Sequence, residues 1–275
     1  MIAILGTGKM GEALLSGLLR AGRPPSAVVA AVRREDRAAE VRERYGVQVT
    51  DAAAAAKMAD TLVLAVKPTA VGLFLGTRTA KENISRICAA AHEAGTMVTL
   101  DAEEFAAIEP TLRIAAQLRA EYGDLGCVIQ ACLRRSEADC RALAGYGTRV
   151  RLCKGAYTEP ESVAFTSRRQ IDTSYARCLR ALMNGSGYPM LATHDPRLIK
   201  ITTSLALLTG RAPDSFEYQM LYGIRQGEQR RLADTGARMR VYVPYGGDWY
   251  AYLVRRLAER PQNLGFFLRS LRPER

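Results

Sequence analysis

The sequence has few of the residues that build metal and disulfide sites. It contains two histidines and six cysteines, and the cysteines form no CxxC motif and no Cys/His cluster with ligand spacing. A zinc site is therefore not expected, and we predict no metal. Reduced thiols in a cytosol fit these cysteines best.

Long apolar runs are also lacking, although 48% of the residues are hydrophobic. No stretch reaches the roughly 18 uninterrupted apolar residues of a membrane span. The start, MIAILGTGKMG, shows no basic leader and no small-residue cleavage site, so we expect mature, cytoplasmic sequence. The length of 275 residues allows one large α/β domain or two small ones.

Acidic residues are too few to balance the basic ones, and the formal net charge is +11. Such a chain can meet nucleic acid, anionic lipid or anionic small molecules. No aromatic-interleaved basic stripe, finger or recognition helix is visible, so nucleic acid is not an expected partner. A solvated, arginine-rich surface is the simplest interpretation, and anionic groups inside a site would use part of the charge.

Strand-like apolar runs alternate with helical patterns along the whole chain. MIAILG precedes a helix from Lys9 to Leu19, and AVVAAV precedes a charged helix from Glu35 to Tyr45. The same alternation continues through TLVLAVK, TMVTLDAE, GCVIQACL, RVRLCKGAY, PMLATHD, FEYQMLYG and MRVYVP. This order predicts parallel strands with right-handed helical crossovers.

Polar residues end nearly every strand after residue 60: Lys67, Asp101, Gln130, Arg151 with Lys154, His194, Gln219 and Tyr242. A (β/α) barrel carries its site on the face formed by the carboxyl ends of its strands. The alternative is that these residues cap the following helices. Their recurrence on seven strands favours a site.

The segment ILGTGKMG places Gly6, Gly8 and Gly11 between a strand and a helix, in the G-x-G-x-x-G spacing. Glycines there let the backbone approach a pyrophosphate at a helix N-terminus. Arg33 and Arg34 follow the second strand, where an acidic residue would favour NAD, so they favour the 2′-phosphate of NADP. These five residues mark a candidate remnant of an NADP site.

Residues 1–68, from MIAILGTGKMGEAL to DTLVLAVKP, resemble the dinucleotide-binding domain of pyrroline-5-carboxylate reductase. The resemblance covers about a quarter of the chain. The later Rossmann strands and the helical domain that builds the substrate site in that family are not visible here. The resemblance therefore implies half of a cofactor domain without its catalytic partner.

Residues 67–272 resemble FAD-dependent proline dehydrogenase of the single-function bacterial type. The motifs are RVRLCKGAYTEPESVAF, PMLATHD, FEYQMLYGIR and VYVPYGGDWYAYLVRRLAERPQNLGFFLRSL. A guanidinium pair suits a carboxylate substrate, because arginine binds carboxylates in a bidentate manner. The resemblance implies that proline is bound by Lys67, Tyr157, Leu221, Arg255, Arg256 and Glu259.

The same resemblance implies the FAD contacts. Arg151 would approach the flavin N5 and stabilise negative charge there, Asp101 would orient Lys67 and its neighbours, and Tyr242 would pack over the substrate ring. The remaining implied cofactor contacts are Ala102, Gln130, Lys154, Gly155, Ala156, Thr193 and His194. The sequence departs from the family after Asp101, where Ala102, Glu103 and Glu104 replace its usual methionine-containing run.

The two resemblances meet at the strand TLVLAVKP. We predict a partial Rossmann-like segment at residues 1–60 and a dehydrogenase-like FAD barrel at residues 61–275. From the Lys67 strand onward we count seven strands, one short of a (β/α)8 barrel. We therefore expect an α/β fold, a (β/α)8-type barrel whose first unit is replaced by the partial Rossmann segment, with VQVT or AVVAAV supplying the missing strand.

The expected function is oxidation of L-proline to Δ1-pyrroline-5-carboxylate with hydride transfer to FAD. The family passes electrons to a quinone, so we expect a quinone or another acceptor and peripheral contact with the inner face of the cell membrane. One alternative is NADPH-dependent pyrroline-5-carboxylate reductase, which lacks its substrate domain here. Another is an inactive fusion that retains only nucleotide binding.

Overall fold

The structure, a computed structural model, describes residues 1–5, 9–20, 22–32, 34–58, 61–64 and 68–242. These residues divide into two compact units, which comprise residues 1–98 and residues 99–242. None of the helices in the described ranges is both long and apolar enough to cross a bilayer. Each unit is built on its own parallel sheet.

The first unit alternates strands and helices, as predicted. Its strands are β1 (Ile2–Leu5), β2 (Val28–Ala31), β3 (Gln48–Thr50) and β4 (Thr61–Leu64). Its helices are α1 (Lys9–Arg20), α2 (Glu35–Tyr45), α3 (Ala52–Met58) and α4 (Thr77–Glu93). Gly46, with a left-handed φ of 65°, caps α2 by donating its N–H to the Arg42 carbonyl.

The four strands of the first unit pair in the order β3-β2-β1-β4, all parallel. Successive residues of β2 are buried on opposite faces of this sheet. Val28 and Ala30 pack with residues of α1 and α2, whereas Val29 and Ala31 pack with Ala55 of α3. Helices therefore cover both faces, as in doubly wound folds.

The second unit contains six strands and five helices within its described residues. Its strands are β5 (Thr99–Leu100), β6 (Gly126–Gln130), β7 (Arg149–Cys153), β8 (Tyr188–Ala192), β9 (Glu217–Leu221) and β10 (Met239–Tyr242). Its helices are α5 (Phe105–Leu118), α6 (Ser136–Gly145), α7 (Arg168–Asn184), α8 (Pro196–Leu208) and α9 (Gln226–Asp234).

These six strands pair in chain order from β5 to β10, again all parallel. One face of the sheet packs on the helices and forms the main core of the unit. Val150 and Leu152 of β7 and Tyr218 and Met220 of β9 belong to this core, with at most 2% of each residue exposed. We call this the helix face.

The opposite face of the same sheet, which we call the inner face, is polar. Because side chains alternate along a strand, Arg149 and Arg151 of β7 point away from the helix face. Glu217 and Gln219 do the same on β9, and Arg240 on β10. The second unit is thus an α/β fold whose parallel sheet packs on helices with one face and carries these polar side chains on the other.

The strand TLVL does not join the dehydrogenase-like sheet. β4 pairs in parallel register with β1, so that Ile2 lies opposite Thr61 and Leu5 opposite Leu64. β2 uses both of its edges within the first sheet, and β3 pairs with β2 at the sheet margin. The predicted use of AVVAAV as the missing barrel strand is therefore wrong, and no described pairing supports VQVT in that role.

The compact units divide after Val98, whereas the sequence-based boundary lies between residues 60 and 61. Backbone pairing explains the difference, because β4 completes the first sheet and α4 packs against α3 of the same unit. The boundary at residue 60 marks where the two resemblances meet, and as a functional boundary it stays a prediction.

Candidate active site

The guanidinium of Arg151 lies at the centre of the polar inner face. Its Nη1 donates a hydrogen bond to Asp101 Oδ1 at 2.7 Å, and its Nε donates to Gln219 Oε1 at 2.8 Å. These side chains come from β7, from the residue that follows β5, and from β9. These are alternate strands of one parallel sheet, so residues that are distant in sequence meet on one face.

The contacts continue from Gln219 to a buried carboxylate. Gln219 Nε2 donates to Glu217 Oε1 at 2.5 Å, and Arg240 binds both Glu217 oxygens, with Nε at 2.7 Å and Nη2 at 2.9 Å. Burial opposes ionisation of Glu217, but the hydrogen bonds from Arg240 and Gln219 outweigh it and lower its pKa. Glu217 therefore carries a negative charge at neutral pH.

Gln130 connects the end of β6 to the turn that follows β7. Its buried Nε2 donates to the Glu103 carbonyl at 2.8 Å, and its Oε1 accepts from the N–H of Ala156 at 3.2 Å. Its own carbonyl accepts from Ser136 Oγ at 2.6 Å. Gln130 thus fixes the backbone after β5 and the backbone after β7 at the same end of the sheet.

Gly155 holds the turn after β7 close to the neighbouring strand segment. Its φ is 106°, and a Cβ built there would collide with the sulfur of Cys132. A side chain at this position would therefore push the turn outward. We call the backbone of residues 154–156 at this turn the cradle; its Lys154 carbonyl accepts from the Cys132 N–H at 2.9 Å.

Lys154 has its ammonium group bound by two carboxylates. Its Nζ lies 2.5 Å from Asp172 Oδ1 and 2.9 Å from Asp195 Oδ2, and Arg197 pairs with the same two aspartates. Burial opposes ionisation of Asp195, but hydrogen bonds from Arg197 and Lys154 hold its pKa well below its usual range. The Lys154 charge is thus compensated by Asp172 and Asp195.

His194 lies two residues after β8 and binds the end of β9. Its Nε2 accepts the backbone N–H of Leu221 at 2.8 Å, and its carbonyl accepts from Arg225 Nη1 at 3.2 Å. Burial, followed by the nearby charge of Arg225, lowers the His194 pKa to about 4. The imidazole is therefore neutral at physiological pH, as an Nε2 acceptor requires.

The other predicted contacts in the second unit lie near the same strand ends. Thr193 is buried, and its Oγ1 accepts the N–H of Asp195 at 3.1 Å, which helps to shape the start of α8. Ala102 packs partly buried beside the cluster that contains Cys132. Tyr157 is half-buried, and Tyr242, at the end of β10, is 49% exposed.

Several predicted residues lie outside the described residues: Gly6, Gly8, Arg33, Lys67, Arg255, Arg256 and Glu259. Of the predicted NADP remnant, Gly11 lies in α1, and Arg34 is exposed immediately before α2. Arg34 binds Asp36 with Nε at 3.1 Å and Nη2 at 2.5 Å, and this pairing raises its pKa.

Sequence reasoning missed the residues that support the predicted ones. Gln219 was noted as a polar strand end but received no role, and Glu217, Arg240, Asp172 and Asp195 were overlooked. The alternation of β9 carries the signal, because Glu217 and Gln219 are two residues apart and must share a face. All six cysteines are free thiols, and the described residues contain no group of three or more possible metal ligands.

Comparison with known families gives a match over most of the chain. The family model described as Proline dehydrogenase matches residues 26–269. Proline dehydrogenase 2 of Bacillus subtilis (strain 168) is 40% identical over 208 residues, which are 76% of this chain and 69% of that protein. Proline dehydrogenase of Deinococcus radiodurans is 40% identical over 191 residues, 69% of this chain and 62% of that protein.

A second and shorter match concerns a different enzyme. Pyrroline-5-carboxylate reductase of Mycobacterium tuberculosis (strain H37Rv) is 55% identical over 67 residues, which are 24% of this chain and 23% of that protein. Both resemblances read from the motifs are thus confirmed. The reductase match is the more identical but extends over about a third as many residues.

Among solved structures, proline utilization A (PutA) from Bdellovibrio bacteriovorus inactivated by N-propargylglycine matches with a TM-score of 0.66 at 24% identity. The match covers 87% of this chain and 30% of that one, so the chain spans less than a third of the PutA chain. At this identity the likeness shows the fold alone, an α/β fold with a curled parallel sheet.

Proposed function

Because this chain belongs to the proline dehydrogenase family, we propose that it oxidises L-proline to Δ1-pyrroline-5-carboxylate with FAD as hydride acceptor. One observation carries the proposal: Asp101 and Gln219 hold the guanidinium of Arg151 on the polar inner face of the second sheet. Arg151 and Gln219 lie midway along β7 and β9, and Asp101 follows β5, so the cation is fixed on the inner face below the strand ends, where a barrel enzyme could direct it at a ligand.

The residues at this edge of the sheet fit a flavin. Gly155 lets the turn after β7 lie close to Cys132. A ligand would approach the backbone of Lys154 and Ala156 at this turn. Gln130 and Arg151 provide amide and guanidinium groups on the same side. These residues would hold FAD, with Ala102, Thr193 and His194 as further contacts that the resemblance assigns.

When bound, FAD supplies the acceptor for the hydride that leaves the proline ring. Arg151 would place its positive charge where negative charge develops, and Asp101 and Gln219 would keep its plane fixed during the reaction. The neutral imidazole of His194 would hold the end of β9, and with it Leu221, against the site.

The proline contacts follow the family resemblance. We assign the carboxylate to Arg255 and Arg256 with Lys67, because two guanidinium groups and an ammonium group match its charge. Tyr157 and Leu221 would line the pocket, Tyr242 would cover the ring, and Glu259 would face the ring nitrogen or pair with Arg255.

The barrel arrangement of the second unit is part of this proposal. Six parallel strands in chain order, with a helix face and a polar inner face, support a (β/α)8-type interior in which the inner face is the site. We keep the proposal that a partial Rossmann segment replaces the first barrel unit. β2 is not the strand that it adds, because both edges of β2 are paired within the first sheet.

We further propose that electrons pass from reduced FAD to a quinone or another acceptor, in a cytoplasmic protein with peripheral membrane contact. This step rests on the resemblance. Proline-dependent reduction of a soluble quinone analogue, with and without liposomes, measures both parts. A rate that liposomes leave unchanged would contradict the membrane contact.

The test of the main proposal is the absorption spectrum of the purified chain supplied with FAD, recorded without oxygen. We expect a bound flavin band that bleaches when L-proline is added. Addition of NADPH instead of proline is the control, and it should leave the band unchanged. A chain that binds no FAD, or a flavin that proline does not bleach, would refute the proposal.

A second candidate function concerns the first unit, which we propose to be an NADP-binding module. Its strand order β3-β2-β1-β4, with α1 following β1, is the arrangement of a half Rossmann fold. Titration calorimetry with NADPH and NADH tests it. Tighter binding of NADPH would support the module, whereas no heat with either cofactor would refute it.

A further inference from the structure

Glu217 is a buried carboxylate to which the proposed reaction assigns no role. Only 3% of its side chain is exposed, and four donor groups surround its two oxygens. Oε1 accepts from Arg240 Nε and Gln219 Nε2, and Oε2 accepts from Arg240 Nη2 and from the hydroxyl of Tyr188 at 3.3 Å. Such complete pairing is what a buried charge requires.

The carboxylate determines which way the Gln219 amide points. An ionised carboxylate only accepts hydrogen bonds, so the NH2 group of Gln219 must face Glu217. The carbonyl oxygen Oε1 then faces Arg151 and accepts from its Nε at 2.8 Å. The reversed amide would place donors against Arg151 and an oxygen against the carboxylate, which is unfavourable on both sides.

The fixed amide in turn orients the guanidinium of Arg151. Hydrogen bonds from Nε to Gln219 and from Nη1 to Asp101 hold two edges of a planar group, which determines the plane. The hydrogen bonds therefore run without interruption from Arg240 through Glu217, Gln219 and Arg151 to Asp101. The two ends of this series are exposed, Asp101 to 60% and Arg240 to 58%, whereas Glu217 within it is only 3% exposed.

We propose that Glu217 is a positioning residue, which fixes the Gln219 amide and through it the orientation of Arg151 toward the flavin. The proposal deepens the function proposed above and rests on it. Glu217 is 3% exposed, its oxygens are occupied by donors of the chain and Arg240 neutralises its charge, so its effect on the reaction would pass through Gln219.

The variant Glu217→Gln tests this inference. A neutral amide offers one acceptor oxygen to four donors, so Gln219 loses its fixed orientation and Arg151 its fixed plane. We expect the limiting rate of flavin reduction by L-proline to fall about tenfold, because a misaligned charge stabilises the transition state less well. The KM for proline should change little, since the proline contacts lie elsewhere.

The matched control is Glu228→Gln. Glu228 of α9 pairs with Arg231 in the same two-bond geometry, with Nε at 3.0 Å and Nη2 at 2.8 Å, but it is not part of the Arg151 series. This control should retain the wild-type rate. Equal losses in both variants would show a general effect of removing an ion pair and would overturn the proposal.

A second readout needs neither FAD nor activity. The Nε–H signal of Arg151 in the NMR spectrum of the flavin-free chain, assigned by its loss in Arg151→Lys, reports the bond to Gln219. We expect the chemical shift of this signal to change in Glu217→Gln and to stay the same in Glu228→Gln. An unmoved signal in folded Glu217→Gln would contradict the coupling. If wild type binds no FAD, the proposed function fails, and this signal still decides whether Glu217 orients Arg151.

Gln219→Met provides the second variant, and it carries the test if Glu217→Gln does not fold. It removes the amide and leaves the pair of Glu217 and Arg240 intact. We expect the same slowing as in Glu217→Gln, and no additional slowing in the double variant, because both act through one link. A wild-type rate in Gln219→Met, or additive losses in the double variant, would overturn the proposal.

Discussion

The two sheets of this chain differ in what their second face does. In the first sheet successive residues of β2 are buried on both faces, each against its own set of helices. In the second sheet one face of β7 and β9 packs on helices, and the other carries Arg151, Glu217 and Gln219. A sheet face that carries charged side chains and no covering helix can bind a ligand. In the described residues, this face is the inner face of the second sheet.

The difference also separates the two sites that the motifs suggest. In the described residues of the first unit, helices cover both faces of the sheet. The second unit offers a whole sheet face whose charged groups are already joined by hydrogen bonds. The glycine motif thus belongs to a unit whose sheet is covered by helices on both faces. The motifs RVRLCKGAY, PMLATHD and FEYQMLYG belong to a unit whose sheet keeps one polar face.

The largest expected effect is the loss of unfolding free energy from a substitution on the helix face of β7, compared with one on its inner face. Leu152→Ala should lower the free energy of unfolding by about 3 kcal/mol, because the side chain is fully buried in the main core. Arg149→Ala, three residues away on the inner face, should cost less than about 1 kcal/mol. Urea unfolding measures both variants. Equal losses of unfolding free energy would contradict the proposed distinction between the two faces.

In the first sheet the two faces of β2 should respond alike. Val28→Ala and Val29→Ala should each cost about 2 kcal/mol, because both residues are at most 1% exposed on opposite faces. Urea unfolding at constant pH is again the measurement. If only one of the two substitutions is costly, the first sheet has a helix on one side only, like the second.

Gly155 marks the cradle of the second unit, and its substitution should affect both stability and cofactor binding. Gly155→Ala should cost about 1.5 kcal/mol and weaken FAD binding, because it combines a strained φ of 106° with a collision against Cys132. Gly223→Ala is the control, since its φ is 79° and its Cβ meets nothing within 4 Å. Equal FAD affinity in both variants would mean that the cradle does not hold the cofactor.

A further expected effect is a pH dependence that arises at the strand ends of the second sheet. The His194 pKa falls from its ordinary value of 6.5 to about 4 on folding, so the unfolded chain binds a proton that the folded chain does not. The stability that His194 contributes is complete above pH 6.5 and is lost as the pH falls toward 4. His194→Gln should flatten this part of the unfolding curve. An unchanged slope would show that the imidazole is not held neutral.

Local sequence predicted the elements well and the pairing of strands less well. Helix α2 lies at Glu35–Tyr45 as predicted, because its charged pattern and the glycine after it are local signals. The sequence placed TLVL where the two resemblances meet and did not determine its sheet, since an apolar strand of four residues suits either one. Pairing with β1 is a long-range choice that local patterns do not reveal.

The site shows the same division between local and long-range information. Asp101 and Arg151 stand out in the sequence as polar ends of apolar strands, and the structure brings them together. Their link to Gln219 and Glu217 depends on the alternation of β9 and on the layering of alternate strands. The roles of Asp101 and Arg151 toward a flavin remain predictions from the resemblance.

The most direct measurement compares Arg151→Met with Arg149→Met, two substitutions on the same face of the same strand. Each chain is loaded with FAD without oxygen, and the limiting rate of flavin bleaching by L-proline is recorded. If the chemistry depends on the Arg151 guanidinium, Arg151→Met should be slower than wild type by about a hundredfold, and Arg149→Met should stay close to wild type. Equal rates in the two variants would contradict the claim that the inner face of the second sheet carries the proline dehydrogenase site.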